Sequence, residues 1–143
     1  MTEDVFPDPA TPFGQRVQRR LRDEKVIWLT TVAADGTPQP NPVWFLVDGT
    51  TVLVYNRPDA RRLAHIRRHP RVTLNLDGDG RGGDIIVLSG RAEVVADHPL
   101  PHEFPPYVDK YREAAERISG NVEDFSAAYS VALRITVDRV RGF

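Results

Sequence analysis

Phe13, Val17 and Leu21 recur every four residues behind Thr11-Pro12, an N-cap hydroxyl followed by a first-turn proline, and predict a short amphipathic helix over 12–23. From Lys25 this spacing gives way to β-branched and aromatic residues. KVIWLTTVA, a turn at Ala34-Asp35-Gly36, and TPQPNPVWFLV read as two strands, and Asp48-Gly49 marks a hairpin into TTVLVYN, completing a three-stranded meander. Pro40 and Pro42 fall inside the second strand, where a missing N–H points to an edge, a bulge or a contact with something other than a strand. Helical character returns over 58–68, with Leu63 and Ile66 apolar among arginines. RVTLNLD and DIIVLSGRAEVV read as two further strands around a Gly-rich loop. Residues 99–128 read as helices, with Tyr107, Tyr111, Ala114, Ala115 and Ile118 on one side of the longer one, and SVALRITVDRV closes the chain as a sixth strand.

Strands therefore follow strands, without the βαβ alternation of a doubly wound sheet. The order predicts a mainly β, α+β fold: a six-stranded antiparallel barrel, closed or nearly closed, with peripheral helices. Residues 1–10 show no periodicity and read as a flexible lead-in to a single domain over 11–143.

Composition narrows the function classes. The 143 residues carry 19 Lys and Arg against 20 Asp and Glu, a balance that argues against a dedicated nucleic-acid binder. There is no cysteine, which excludes disulfide scaffolds, iron–sulfur clusters and thiol nucleophiles. The acidic, Pro-rich start is unlike a signal peptide, and no run approaches the about 20 apolar residues that cross a bilayer. A cytoplasmic protein without membrane partners is expected.

Several motifs carry less chemistry than their letters suggest. Gly78, Gly80 and Gly83 satisfy G-x-G-x-x-G, but a strand follows where a dinucleotide site needs a helix N-terminus. Asp77, Asp79 and Asp84 invite a calcium loop, yet Arg81 and Leu88 occupy ligand positions. His65 and His69 are helically spaced but separated by two arginines, His98 and His102 flank a Pro-Leu-Pro loop, and no metal site is expected from either pair. No serine lies in a G-x-S-x-G setting.

The segment from Tyr55 to Arg71, YNRPDARRLAHIRRHPR, is more informative. Arg57, Arg61, Arg62, Arg67, Arg68 and Arg71 accompany a single acid, Asp59, where a strand gives way to a helix. Helix N-termini and guanidinium forks both suit phosphate, so a phosphate-bearing ligand is the natural partner, with a solvated basic face as the alternative. Aromatics are not interleaved as a nucleic-acid stacking surface requires.

Taken in order, WLTTVAADGTPQPNPVWF, YNRPDARRLAHIRRHPRVTLNL and GRAEVV resemble the pyridoxamine 5′-phosphate oxidase-like family of flavin- and deazaflavin-binding split β-barrels, over about Phe13 to Val95. The resemblance implies an FMN-binding split-barrel type of fold and a homodimer with two cofactor sites at the subunit interface. It implies that Asn41, Pro42, Val43 and Trp44 lie against the cofactor ring and that Tyr55 and Asn56 supply strand-end contacts. Arg61 and Arg62 match phosphate binders, and Arg57, with Arg67 and Arg68, is placed to meet an anionic tail. Arg62 stands where many relatives carry Lys, and Ala60 where some FMN enzymes carry a phosphate-binding hydroxyl. The short chain, NPVWF and the DGDGRGGD loop resemble the actinobacterial branch that uses coenzyme F420, a deazaflavin. The implied function is an F420-dependent oxidoreductase acting on a small organic substrate, with an FMN-dependent oxidase or reductase and a non-catalytic cofactor carrier as alternatives. No nucleophile or general base is singled out; a substrate proton would come from solvent or from Tyr55.

Overall fold

The computed structural model describes residues 5–143. Helix α1 spans Pro12–Asp23, and the Thr11 hydroxyl accepts the Gly14 N–H at 3.0 Å, the cap that the sequence predicts. Of the lead-in, residues 1–4 lie outside the described residues. Val5 and Phe6 pack against the core, and the Asp8 carbonyl accepts both the backbone N–H and the hydroxyl of Thr11.

Seven strands follow, not six: β1 (Ile27–Val32), β2 (Pro38–Val43), β3 (Leu46–Asp48), β4 (Thr51–Asn56), β5 (Arg71–Asn75), β6 (Ile86–Val95) and β7 (Val131–Gly142). Helix α2 (Arg61–Arg68) lies between β4 and β5. A single 3₁₀ turn at Pro101–Glu103, α3 (Pro105–Ser119) and α4 (Val122–Ala128) lie between β6 and β7. Gly120, at φ +87°, ends α3, and the Asn121 side chain caps α4 by accepting the Asp124 N–H at 2.7 Å.

The extra strand comes from division of TPQPNPVWFLV at Trp44-Phe45. The sheet order is β2-β1-β5-β6-β7-β4-β3, with every neighbour antiparallel. The first half of the segment pairs with β1 at one edge and the second half with β4 at the other, so the expected continuous meander is broken. Residues 44 and 45 alone join these edges, a reach of about 11 Å at most. The sheet must therefore curl into an antiparallel half-barrel, with the helices against it.

Pro38, Pro40 and Pro42 share one phase of β2, so the donors to β1 come from the intervening residues and the missing N–H groups all face away. β2 is thus an edge strand, one of the readings that Pro40 and Pro42 suggest. A bulge at Ser89/Gly90 bends β6 where a Cβ on Gly90 would sit 2.3 Å from the Thr136 carbonyl oxygen.

Ile27, Leu29, Phe45, Leu74, Leu88, Leu133 and Ile135 fill the barrel, and Val17 and Leu21 of α1 and Leu63 and Ile66 of α2 cover it. A second cluster joins Leu53, Tyr55 and Ala132 to Tyr107, Tyr111 and Phe125 of α3 and α4. β4 is thus buried on both faces. This explains why TTVLVYN reads as an unbroken apolar run rather than an alternation.

Candidate functional site

Where β2 and β4 end and α2 begins, the strand termini meet the inner faces of α3 and α4. Pro42, Val43, Trp44, Tyr55, Arg62, Tyr107, Ile118, Phe125 and Tyr129 enclose a pocket of about 240 Å³ there. Five of the nine residues implicated by the sequence are brought together on its wall: Pro42, Val43, Trp44, Tyr55 and Arg62. Asn41 is half-buried opposite Leu29 and does not line it.

Among the described residues Arg62 is the one charged side chain that lines the pocket, with no Asp, Glu or Lys on the wall. Its Nε donates to Asn56 Oδ1 at 2.6 Å, and among the described residues it forms no ion pair. Burial pulls its pKa down, with the Tyr129 hydroxyl opposing, and guanidinium nonetheless keeps its proton at neutral pH. A half-buried cation without a counter-charge is a receptor for an anion.

Asn56 has no solvent exposure; its Nδ2 donates to the Val54 and Val131 carbonyls at 3.0 and 3.1 Å. It therefore positions Arg62 rather than facing a ligand. Arg57 does not line the pocket, but its guanidinium lies 4.9 Å from the ring centroid of Tyr129, which does. Arg61, one residue before Arg62, is exposed and lines no part of the pocket. The helical turn sends these adjacent arginines in different directions.

The aromatic wall forms a stack. Tyr129 lies on Phe125 with ring centroids 4.5 Å apart, Phe125 on Trp44 at 5.1 Å, and Trp44 on Tyr111 at 4.9 Å. Tyr107 meets Tyr55 edge-on at 4.8 Å. The Tyr55 hydroxyl donates to the Pro99 carbonyl at 2.6 Å, and burial, with Glu103 nearby, raises its pKa. Its proton is directed to the backbone, and the raised pKa makes the phenol a weaker acid. Tyr107, Ile118, Phe125 and Tyr129 are not among the site residues the sequence suggests; the signal for the three rings is the recurrence of aromatics from α3 to the C-cap of α4, and Ile118 shares the apolar side of α3 with Tyr107.

The remaining motifs have local partners. His65 Nδ1 lies 2.9 Å from the buried Thr31 hydroxyl, and His102 Nδ1 lies 2.6 Å from the Ser126 hydroxyl. Asp79 closes its own loop by accepting the N–H groups of Arg81 and Gly83, which lower its pKa. The Gly78–Gly83 loop lines no part of the aromatic pocket. No group of three His, Cys, Asp or Glu stands close enough to hold a metal among the described residues. No helix there is long and apolar enough to cross a membrane.

Comparison with known proteins agrees with this architecture. An F420 reductase superposes with a TM-score of 0.67 at 21% identity, covering 87% of this chain and 94% of its own. The heme storage protein HutZ from Vibrio cholerae gives 0.64 at 14% identity, covering 92% and 95%. A FAD-binding protein from Mesorhizobium loti gives 0.57 at 22% identity, covering 88% of each chain. At these identities the likeness is one of fold. No curated protein matches the sequence at a significant level. The family described as pyridoxamine 5′-phosphate oxidase matches residues 13–143, nearly the whole chain from α1 to the end of β7, and the chain belongs to that family.

Proposed function

We propose that this protein is an F420-dependent oxidoreductase, moving a hydride between the deazaflavin and a small organic substrate. The observation that carries the reading is Arg62: a half-buried, unpaired cation, oriented by Asn56, at the wall of an aromatic pocket without acids. Such a wall suits a planar ring bearing phosphate. Membership of the pyridoxamine 5′-phosphate oxidase family and the fold shared with an F420 reductase support the same reading.

The residues fit that cofactor in part. A pocket of about 240 Å³ is smaller than the roughly 300–1,000 Å³ that encloses a drug-sized ligand. One chain therefore supplies part of the site, and a second copy supplies the rest, in a homodimer with two sites at its interface. When bound, the deazaflavin supplies the hydride chemistry. The chain's own residues bind and orient. Arg62 holds the phosphate, Pro42-Val43-Trp44 and the rings of Tyr107 and Phe125 shield one side from water, and Arg57 meets the outer anionic portion. The titratable groups of the wall are Arg62 and three tyrosines, so substrate protons come from solvent.

FMN offers a similar tricyclic ring and a phosphate, and Ala60, the N-cap of α2, provides no side-chain hydrogen bond that would favour it. Titration with F420 and with FMN, followed through Trp44 fluorescence, separates the two: F420 binds more tightly. Arg62→Ala weakens F420 binding by about 2–5 kcal/mol, whereas Arg61→Ala changes it by no more than about 1 kcal/mol. An Arg62→Ala protein with an unchanged Kd defeats the assignment. Turnover of a substrate panel with reduced F420 distinguishes an enzyme from a cofactor carrier.

A further inference from the structure

A larger hollow of about 770 Å³ shares no lining residue with the aromatic pocket. Its apolar wall includes Phe6 from the N-terminal segment, Val17 and Leu21 from α1, and Leu46 and Val47 from β3. The segment that carries Phe6 is held closely on α1, for a Cβ on Gly14 would meet the Asp8 carbonyl oxygen at 1.9 Å. The volume lies within the range of pockets that enclose drug-sized molecules.

The charges around this hollow are unbalanced. Both lysines of the chain, Lys25 and Lys110, line it together with Arg22, against one acid, Asp109. Arg22 is engaged by Asp23 at 2.8 Å. Lys25 Nζ donates to the Lys110 carbonyl at 2.8 Å; Lys110 Nζ donates to the carbonyls of Phe45 at 3.0 Å and Leu21 at 3.4 Å, and lies 3.9 Å from the Phe45 ring centroid. All of these partners are uncharged. Among the described residues neither lysine forms an ion pair. An ammonium has three donors, so each lysine retains at least one for another acceptor. Burial and then the neighbouring Lys25 push the Lys110 pKa down to about 8, and the nearby acids Asp23 and Glu24 oppose this without overcoming it.

We propose that this hollow binds an amphipathic carboxylate of the medium-chain fatty-acid type, with its apolar body along Phe6, Val17, Leu21, Leu46 and Val47 and its carboxylate between Lys25 and Lys110. The anion neutralises both ammonium groups while the chain covers the part-exposed Phe6, Leu46 and Val47, with the buried Val17 and Leu21 forming the floor. The site is separate from the cofactor pocket and does not depend on the reading of that pocket.

Calorimetric titration of the full chain with decanoate, and with decanol as its neutral counterpart, tests the proposal. Decanoate is expected to bind once per chain, and decanol roughly tenfold more weakly or worse. Lys25 is exposed, so Lys25→Met keeps the fold and weakens decanoate roughly tenfold. Val47→Glu leaves both lysines in place but adds a carboxylate to the wall, and also weakens binding. Arg62→Met, at the other pocket, leaves it unchanged. Equal affinity for decanol, no binding below the micellar concentration of decanoate, or loss of binding in Arg62→Met with retention in Lys25→Met and Val47→Glu would each overturn the proposal.

Discussion

Asn56 shows how one buried polar side chain organises its neighbours. Two donated bonds secure it to the β4 and β7 backbone, and its remaining oxygen fixes Arg62. Sequence reasoning made both of them cofactor contacts, Asn56 at the strand end and Arg62 at the phosphate, because spacing does not reveal which of two polar groups turns inward. Lys110 is the second residue whose environment sets its chemistry. Its pKa falls from 10.5 to about 8, chiefly through burial and then through Lys25. The fold therefore disfavours the protonated form. The penalty is complete below about pH 8, declines as pH rises, and is gone above the unfolded value of 10.5. Tyr55, Tyr107 and Tyr111 have raised pKa values and weaken the fold as pH passes 10, so the lysine effect must be read as a difference. Measured by urea unfolding across this range, the wild type should gain stability relative to Lys110→Met as pH rises from about 8 to about 10.5. A flat difference would show that Lys110 is not perturbed.

At the scale of elements, the Gly-rich loop between β5 and β6 is held by α1. The Arg20 side chain is only 12% exposed and donates to the carbonyls of Asp77 at 2.7 Å and Asp84 at 3.2 Å. It also pairs with the Asp84 carboxylate, as does Arg16. Asp84 needs this support: at φ +55° it is the one non-glycine residue in the left-handed region among those described. Arg20→Ala should cost about 1–3 kcal/mol and release the loop, so that limited trypsin digestion cuts faster after Arg81 than in the wild type. Unchanged cleavage would mean that Asp79 and the glycines hold the loop alone. The loop reads as G-x-G-x-x-G because Gly80 turns at φ +81° and a Cβ on Gly78 or Gly83 would crowd the Gly83 carbonyl oxygen at 2.9 Å or Asp79 Oδ2 at 2.5 Å, not because it cradles phosphate. The strand count fails in a comparable way. TPQPNPVWFLV has one continuous β-like composition, and its break at Trp44 arises from stacking on Tyr111 and Phe125, far along the chain.

For the whole molecule, Phe45 is the joint at which the half-barrel is drawn together. It is fully buried, its N–H donates to the Tyr111 hydroxyl at 2.9 Å, and its carbonyl accepts from Tyr111 at 2.7 Å and from Lys110 at 3.0 Å. α3 thereby holds both sheet edges at one point. Phe45→Ala removes the side chain from the barrel interior and should destabilise the protein by about 3–5 kcal/mol, measured as a fall in the urea midpoint with an unchanged slope. A loss below about 1 kcal/mol would mean that the barrel repacks without this joint.

The sequence by itself determined the elements whose signals are local. The 12–23 helix with its Thr11 cap, the turns at Gly36 and Gly49, the buried Leu63–Ile66 face and the α+β class all follow from side-chain period and backbone preference, which act within a few residues. Family membership was also legible, because an ordered set of short motifs survives where no single motif is specific. Tertiary structure alone decided which arginine enters the pocket, that Tyr107, Phe125 and Tyr129 build its far wall, and that β2 and β3 lie at opposite edges. Each of these depends on contacts between residues distant in the chain, and it is the curling of the sheet that brings them together.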